Sequence, residues 1–220
     1  MPRAAIAPDE AYHIFNRGVN KQRVFLEDTD YIRMLLLILS FQSPKIFYNI
    51  SRYVKNFKNH KDFGLSKNIT SEILDTKAVE LISFALMPNH FHLFVQELEE
   101  GGISKYLQRI EIAYTKYFNT KYRRSGYLFQ GPFQSVHVDS NEQALYLSAY
   151  IHLNPREFKQ WQKKEHLYPW SSYQDLINKN RWGELLEHDI ISGQFSTPTE
   201  YKHFIETSGA KDLDDDIRLD

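Results

Sequence analysis

The sequence predicts an α+β fold, an antiparallel sheet with helices packed on one face, and three observations carry that expectation. Residues 80–86 and 90–96 are two apolar runs joined at Pro88-Asn89, a pair of turn formers, so they read as a β-hairpin. Between them and the next turn signal, Ile103, Tyr106, Leu107, Ile110, Tyr114, Tyr117 and Phe118 recur at the 3–4 spacing of an amphipathic helix. Finally, the order along the chain is strand, helix, strand, strand, helix, strand, helix, which is close to a ferredoxin-like split unit.

The elements follow in order. Residues 11–17 (Ala-Tyr-His-Ile-Phe-Asn-Arg) read as a strand ended by Gly18, and Asp28 or Thr29 is a natural N-cap for a helix over residues 30–39. Residues 43–78 are rich in Lys and Asn with interspersed aromatics, and read as a partly helical insertion. After the hairpin, Gly101-Gly102 opens a helix to about Tyr122, and Ser125-Gly126 ends it. Residues 127–138 read as extended, interrupted at Gly131-Pro132. Asp139 or Ser140 then caps a helix from Asn141 to about Leu153, and Asn154-Pro155 stops it. Beyond Tyr173 the chain is polar and weakly patterned, and there is no internal repeat. The expected organisation is a catalytic domain over 1–175 with the insertion at 43–78, then a C-terminal extension over 176–220 with an acidic tail.

A chain of 220 residues with 42% hydrophobic and 25% charged residues can build one sizeable core. With no cysteine, disulfides and thiolate metal sites are excluded. No apolar run reaches membrane-spanning length and the N-terminus has no signal-peptide pattern, so the expectation is a cytoplasmic protein with no membrane partner. The net charge of -1 is unevenly distributed. Basic residues dominate 43–68 (Lys45, Arg52, Lys55, Lys58, Lys61, Lys67) and 101–136 (Lys105, Arg109, Lys116, Lys121, Arg123, Arg124), while acids gather at Asp212, Asp214, Asp215, Asp216 and Asp220. A polyanion-binding face and a pair of solvated faces both fit that pattern.

The chemistry centres on His90-Phe91-His92. In a strand, alternate side chains share a face, so the two imidazoles point one way while Phe91, Leu93 and Val95 point into a core. With 9 histidines in 220 residues such a triplet is cheap by chance. The second element is Tyr150 and Asn154, four residues apart near the end of the last helix and so on one helical face. A phenol can attack phosphorus, and an amide oxygen is a hard ligand for a divalent cation. Two imidazoles and one amide oxygen suit Mg²⁺ or Mn²⁺ with open positions for a phosphodiester. The plainer alternative is that Tyr150 packs in the core and Asn154 ends the helix.

Taken together, residues 90–92, residues 126–131 (Gly-Tyr-Leu-Phe-Gln-Gly) and residues 147–155 (Leu-Ser-Ala-Tyr-Ile-His-Leu-Asn-Pro) resemble the REP-associated tyrosine transposases, single-tyrosine members of the HUH (His-hydrophobic-His) superfamily. Residues 12–18 and 170–173 (Trp-Ser-Ser-Tyr) add to the resemblance, which covers about residues 8 to 175. It implies a ferredoxin-like fold, His90, His92 and Asn154 as metal ligands, and Tyr150 as nucleophile. The implied substrate is single-stranded or hairpin DNA at palindromic repeats, cleaved and rejoined through a 5′-phosphotyrosine. Monomer and homodimer both stay open. Asn16, Arg17, Lys105, Arg109, Arg123, Arg124 and Gln130 are candidate DNA contacts. Tyr127 and Phe129 are suited either to stacking on bases or to the core, with the core favoured for Phe129. After Gln130-Gly131 the family commonly carries basic residues, whereas this chain has Pro132, Phe133 and Gln134. A replication initiator or relaxase, and a catalytically silent hairpin-binding protein, are the alternative readings. The lack of a P-loop leans against large initiators.

Overall fold

The computed structural model describes residues 6–210. Its four strands are β1 (Ala11–Arg17), β2 (Val79–Met87), β3 (His90–Glu97) and β4 (Gln134–Val138), all paired antiparallel in the order β2-β3-β1-β4. The helices are α1 (Asp28–Ser40), α2 (Ile50–His60), α3 (Lys67–Leu74), α4 (Gly102–Lys121), α5 (Asn141–Leu153), α6 (Tyr173–Ile177), α7 (Asp189–Ser192) and α8 (Pro198–Thr207). The ferredoxin-like split unit is the one that the sequence predicts, with α1 and α4 as its two crossover helices, but helices cover both faces of the sheet and not one, because both faces carry apolar side chains.

Alternation along the strands makes two different faces. Ile14, Leu81, Phe84, Phe91, Leu93 and Val95 meet Leu35 and Ile38 of α1 and Leu107, Ile110 and Tyr114 of α4 in one core. Each such side chain, removed from water, stabilises the fold by about 1.5–3 kcal/mol. The opposite face carries Ile82, Ala85 and Phe94, and a further helical layer built from α5, α6 and α8 covers them through Leu147, Ile151, Tyr173, Tyr201 and Ile205. A bulge between Leu81 and Ser83 reverses which residues of β2 face each core, so that Leu81 and Phe84 share a side.

Several local expectations are refined. The cap of α1 is Glu27, in a reciprocal capping box with Asp30, instead of Asp28 or Thr29. Asp30 is fully buried and accepts from the Leu26 amide, Tyr117, Tyr122 and Lys121 at 2.6–2.9 Å, which ties α1 to α4. Ser140 is the cap of α5, accepting from the Gln143 amide. The extended stretch after Gly126 becomes ladder only at Gln134, because Pro132 has no N–H to pair. The insertion is helical as α2 and α3, and Phe57 and Phe63 stack near Trp182 with ring centroids 5.8 Å away. The polar segment beyond Tyr173 is therefore anchored, with Trp182, Tyr201 and Ile205 as buried pegs. The acidic tail from Asp212 to Asp220 lies outside the described residues. Among those described, no helix is long and apolar enough to cross a membrane.

Candidate active site

The face of the sheet opposite α1 and α4 is where chemistry-bearing side chains collect. On β3, His90 and His92 point to it, 3% and 1% exposed, while Phe91 between them enters the apolar core. Their rings stand perpendicular with centroids 5.0 Å apart. The register sets Arg17 opposite His90 and Phe15 opposite His92, so His13, two residues back on β1, is the diagonal neighbour of His92 on the same face. Its Nε2 lies 2.8 Å from His92 Nδ1, with the two rings stacked at 5.1 Å. Burial pushes His13 down to about 3, so it is a neutral imidazole at physiological pH.

The turn residue Asn89 holds the other histidine. His90 Nδ1 lies 2.7 Å from Asn89 Oδ1, and Asn89 Nδ2 donates to the Lys21 carbonyl at 3.2 Å, which orients the amide. An amide oxygen only accepts, so His90 carries its proton on Nδ1 and its lone pair on Nε2.

Helix α5 returns across this face and brings Tyr150. Its ring sits edge-on to His92 at 5.5 Å and to His13 at 5.8 Å, all within one chain. Tyr150 is 4% exposed and lines an open cleft of about 570 Å³ together with His13, Phe15, His137, Glu142 and Leu147. One turn later Asn154 is fully buried, and its Nδ2 donates to the Tyr150 carbonyl at 2.9 Å. Its Oδ1 is buried without a hydrogen-bond partner. An orphaned buried amide oxygen costs about 1–3 kcal/mol, so a cation or a donor suits that position. Among the described residues no group of three His, Cys, Asp or Glu side chains is placed to hold a metal. His90, His92 and the Asn154 oxygen, two imidazoles and one amide oxygen, are the donors that could hold one, and the imidazoles tilt the choice from Mg²⁺ toward Mn²⁺.

The residues considered for DNA contact divide. Asn16, Arg17 and Gln130 gather at the His90 end of the sheet, where the 126–131 segment runs beside Gly18 and around a cleft of about 310 Å³. There Asn16 is occupied by the fold: its amide donates to Glu111 at 2.7 Å and to the Gly131 carbonyl at 3.0 Å. Arg109 is occupied too, donating to the carbonyls of Ser43 and Lys45 at 2.6 and 2.7 Å with its guanidinium over Phe41. Lys105 lies in the first turn of α4, near the Glu97 end of β3, whereas Arg123 and Arg124 follow its last turn, about 27 Å along the helix axis. The basic stretch is thus not one patch. Tyr127 is 87% exposed, and Phe129 is buried as favoured from sequence. His13 and Asn89 were not singled out by sequence. A period-2 strand reading places His13 on a face, but only the β1–β3 register shows that it meets His92.

An antiparallel sheet that presents two histidines of a His-hydrophobic-His strand to a helix-borne tyrosine is the arrangement of the HUH-type tyrosine transposases. Residues 46–154, close to half of the chain, match the family model for IS200-like transposases. A solved structure of a REP-associated tyrosine transposase bound to a REP hairpin has the same fold, with a TM-score of 0.53 and 16% identity over 90% of this chain and 95% of that one. No curated protein matches the chain.

Proposed function

We propose that this protein cleaves single-stranded DNA beside a hairpin and transfers the strand through a covalent link to Tyr150. The observation that carries the reading is the placement of Tyr150 edge-on to His92 at 5.5 Å, on the lip of an open cleft. In the step, the Tyr150 oxygen attacks phosphorus in line, the bond from phosphorus to the 3′ oxygen breaks, and a 3′-hydroxyl leaves with a proton. The 5′-phosphotyrosine keeps the phosphodiester energy, so attack by another 3′-hydroxyl rejoins DNA without an outside energy source. His90, His92 and Asn154 would hold a divalent ion, which would supply Lewis-acid polarisation of a phosphoryl oxygen. The chain itself supplies position: Asn154 is hydrogen-bonded to the Tyr150 carbonyl, which holds nucleophile and amide oxygen on one helical turn.

The solved neighbour's hairpin supports a DNA hairpin as partner. Arg17, Gln130, Arg123 and Arg124 are the contacts that fit its phosphates, with Tyr127 as the stacking residue. Because the histidines and the tyrosine come from one chain, the site needs no second copy, and we read the active unit as a monomer. The reading is tested with labelled hairpin-bearing single-stranded DNA and Mn²⁺, looking for a covalent adduct on a denaturing gel. The parent forms it and Tyr150→Phe does not; a Tyr150→Phe variant that cuts as well as the parent overturns the mechanism. A second reading, a catalytically silent hairpin-binding protein, is favoured by Pro132 and Gln134, which stand where basic residues are common in the family. It predicts DNA binding with no adduct.

A further inference from the structure

We infer that His13 is a positioning residue that fixes the tautomer of His92. The inference rests on the proposed reading of His90 and His92 as metal ligands. Two buried imidazoles 2.8 Å apart, Nε2 of His13 to Nδ1 of His92, share one proton between those nitrogens. Only one of the two arrangements lets His92 serve as a ligand through Nε2. If His13 donates, His92 carries its proton on Nε2, which closes that nitrogen to a cation. If His92 donates, its lone pair is on Nε2, and His13 is the acceptor with its own proton on Nδ1.

The neighbouring histidine shows which arrangement matches. His90 already donates from Nδ1 to Asn89 Oδ1 at 2.7 Å, an acceptor that permits no other tautomer. With His13 accepting from His92, both histidines carry the lone pair on Nε2, and each has an outer partner on Nδ1. That is the usual arrangement of ligating imidazoles, in which the partner sets ring orientation and basicity. The partner is ordinarily a carboxylate, a carbonyl or water; here it is a third imidazole. His13 suits the task because it is 3% exposed and ring-packed against Phe15 at 4.7 Å, so its own orientation is fixed. A plain core histidine in this position is the competing explanation, and it predicts an effect on folding alone.

The test uses the full chain without DNA. Mn²⁺ is titrated against the parent, His13→Phe, His13→Gln and His92→Ala, and free Mn²⁺ is followed by electron paramagnetic resonance, with thermal melts alongside. His13→Phe should weaken Mn²⁺ binding about 10- to 100-fold. His13→Gln, whose side-chain oxygen can accept in place of Nε2, should recover most of that loss. Parent-like Mn²⁺ affinity in His13→Phe, with His92→Ala deficient, overturns the inference and leaves the ligand assignment standing. Parent-like affinity in His92→Ala, or no Mn²⁺ binding by the parent, removes the ligand assignment and the inference with it. A measurement independent of any variant is the ¹⁵N spectrum of the parent imidazoles. It should show His92 protonated on Nδ1 and unprotonated on Nε2, and the reverse tautomer overturns the inference even if His13→Phe does not fold.

Discussion

Two buried imidazole clusters sit on α5's side of the sheet, and they differ in what surrounds them. His152 is fully buried, with Nδ1 2.6 Å from the Tyr201 hydroxyl and Nε2 2.8 Å from the Ser172 hydroxyl. Its ring stacks on Tyr173 at 5.2 Å, and it is not among the residues that line the cleft beside Tyr150. The cluster of His13, His90 and His92 is almost as buried, yet it adjoins Tyr150 and the open cleft. Burial pushes His13 and His152 alike down to about 3. A depressed pKa therefore does not separate a structural histidine from a functional one here. Ring contact with Tyr150 beside the open cleft does.

The comparison breaks most sharply on paired variants. His92→Ala should lower metal-dependent DNA cleavage per folded molecule by about 10²-fold or more, because it removes a proposed ligand for the ion that would stabilise the transition state. His152→Ala should cost stability without costing cleavage. It leaves the Ser172 and Tyr201 hydroxyls short of a partner and should cost about 2–4 kcal/mol in urea unfolding, while cleavage per folded molecule stays within about twofold. If His152→Ala abolishes cleavage in a folded protein, the division into a structural and a functional cluster is wrong.

Acid sharpens the same contrast. His152 is depressed to about 3 by burial first and by His188 second, whereas in the unfolded chain it titrates near 6.5. The unfolded state thus binds the extra proton, and the stability from neutral His152 is complete above about pH 6.5 and is lost as pH falls toward 3. The expected slope is about 1.4 kcal/mol per pH unit from this residue. Urea midpoints from pH 7 to pH 4 should show that slope flatten in His152→Gln; an unchanged slope contradicts the assignment.

Mixing asks whether one chain is a complete site. Tyr150→Phe and His92→Ala together should form no more adduct than either alone, since each chain pairs its own tyrosine with its own histidines; restored adduct would show that subunits exchange the helix. The smallest effects concern phosphate contacts. Arg124→Ala should weaken hairpin binding a few-fold and reduce the salt slope by about one, measured by fluorescence anisotropy. Lys105→Ala, at the far end of α4, should change neither.

The hairpin and α4 were legible in the sequence because period and turn residues encode them locally. The alternation of His90-Phe91-His92 also fixed which side chains share a face, and the four-residue interval joined Tyr150 to Asn154. What sequence could not show was non-local. The return of α5 across β3 joins segments about fifty residues apart, and the register that sets His13 against His92 joins residues about eighty apart. The short helices α6 to α8 were missed because four- to ten-residue polar segments carry little periodicity, although Trp182 and Tyr201 anchor them. Charge misled for a similar reason. Arg109 and Lys121 look like surface cations in a basic run, yet one binds loop carbonyls and the other bridges to buried Asp30 at 2.6 Å.

The central claim is that Tyr150 is the group that takes the DNA. The direct measurement is mass spectrometry of the covalent adduct after nuclease and protease digestion, with hairpin-bearing single-stranded DNA and Mn²⁺. A nucleotide 5′-phosphate on Tyr150, and on no other tyrosine, is the predicted result. An adduct on a different side chain, or cleavage with no protein-linked nucleotide, would contradict it.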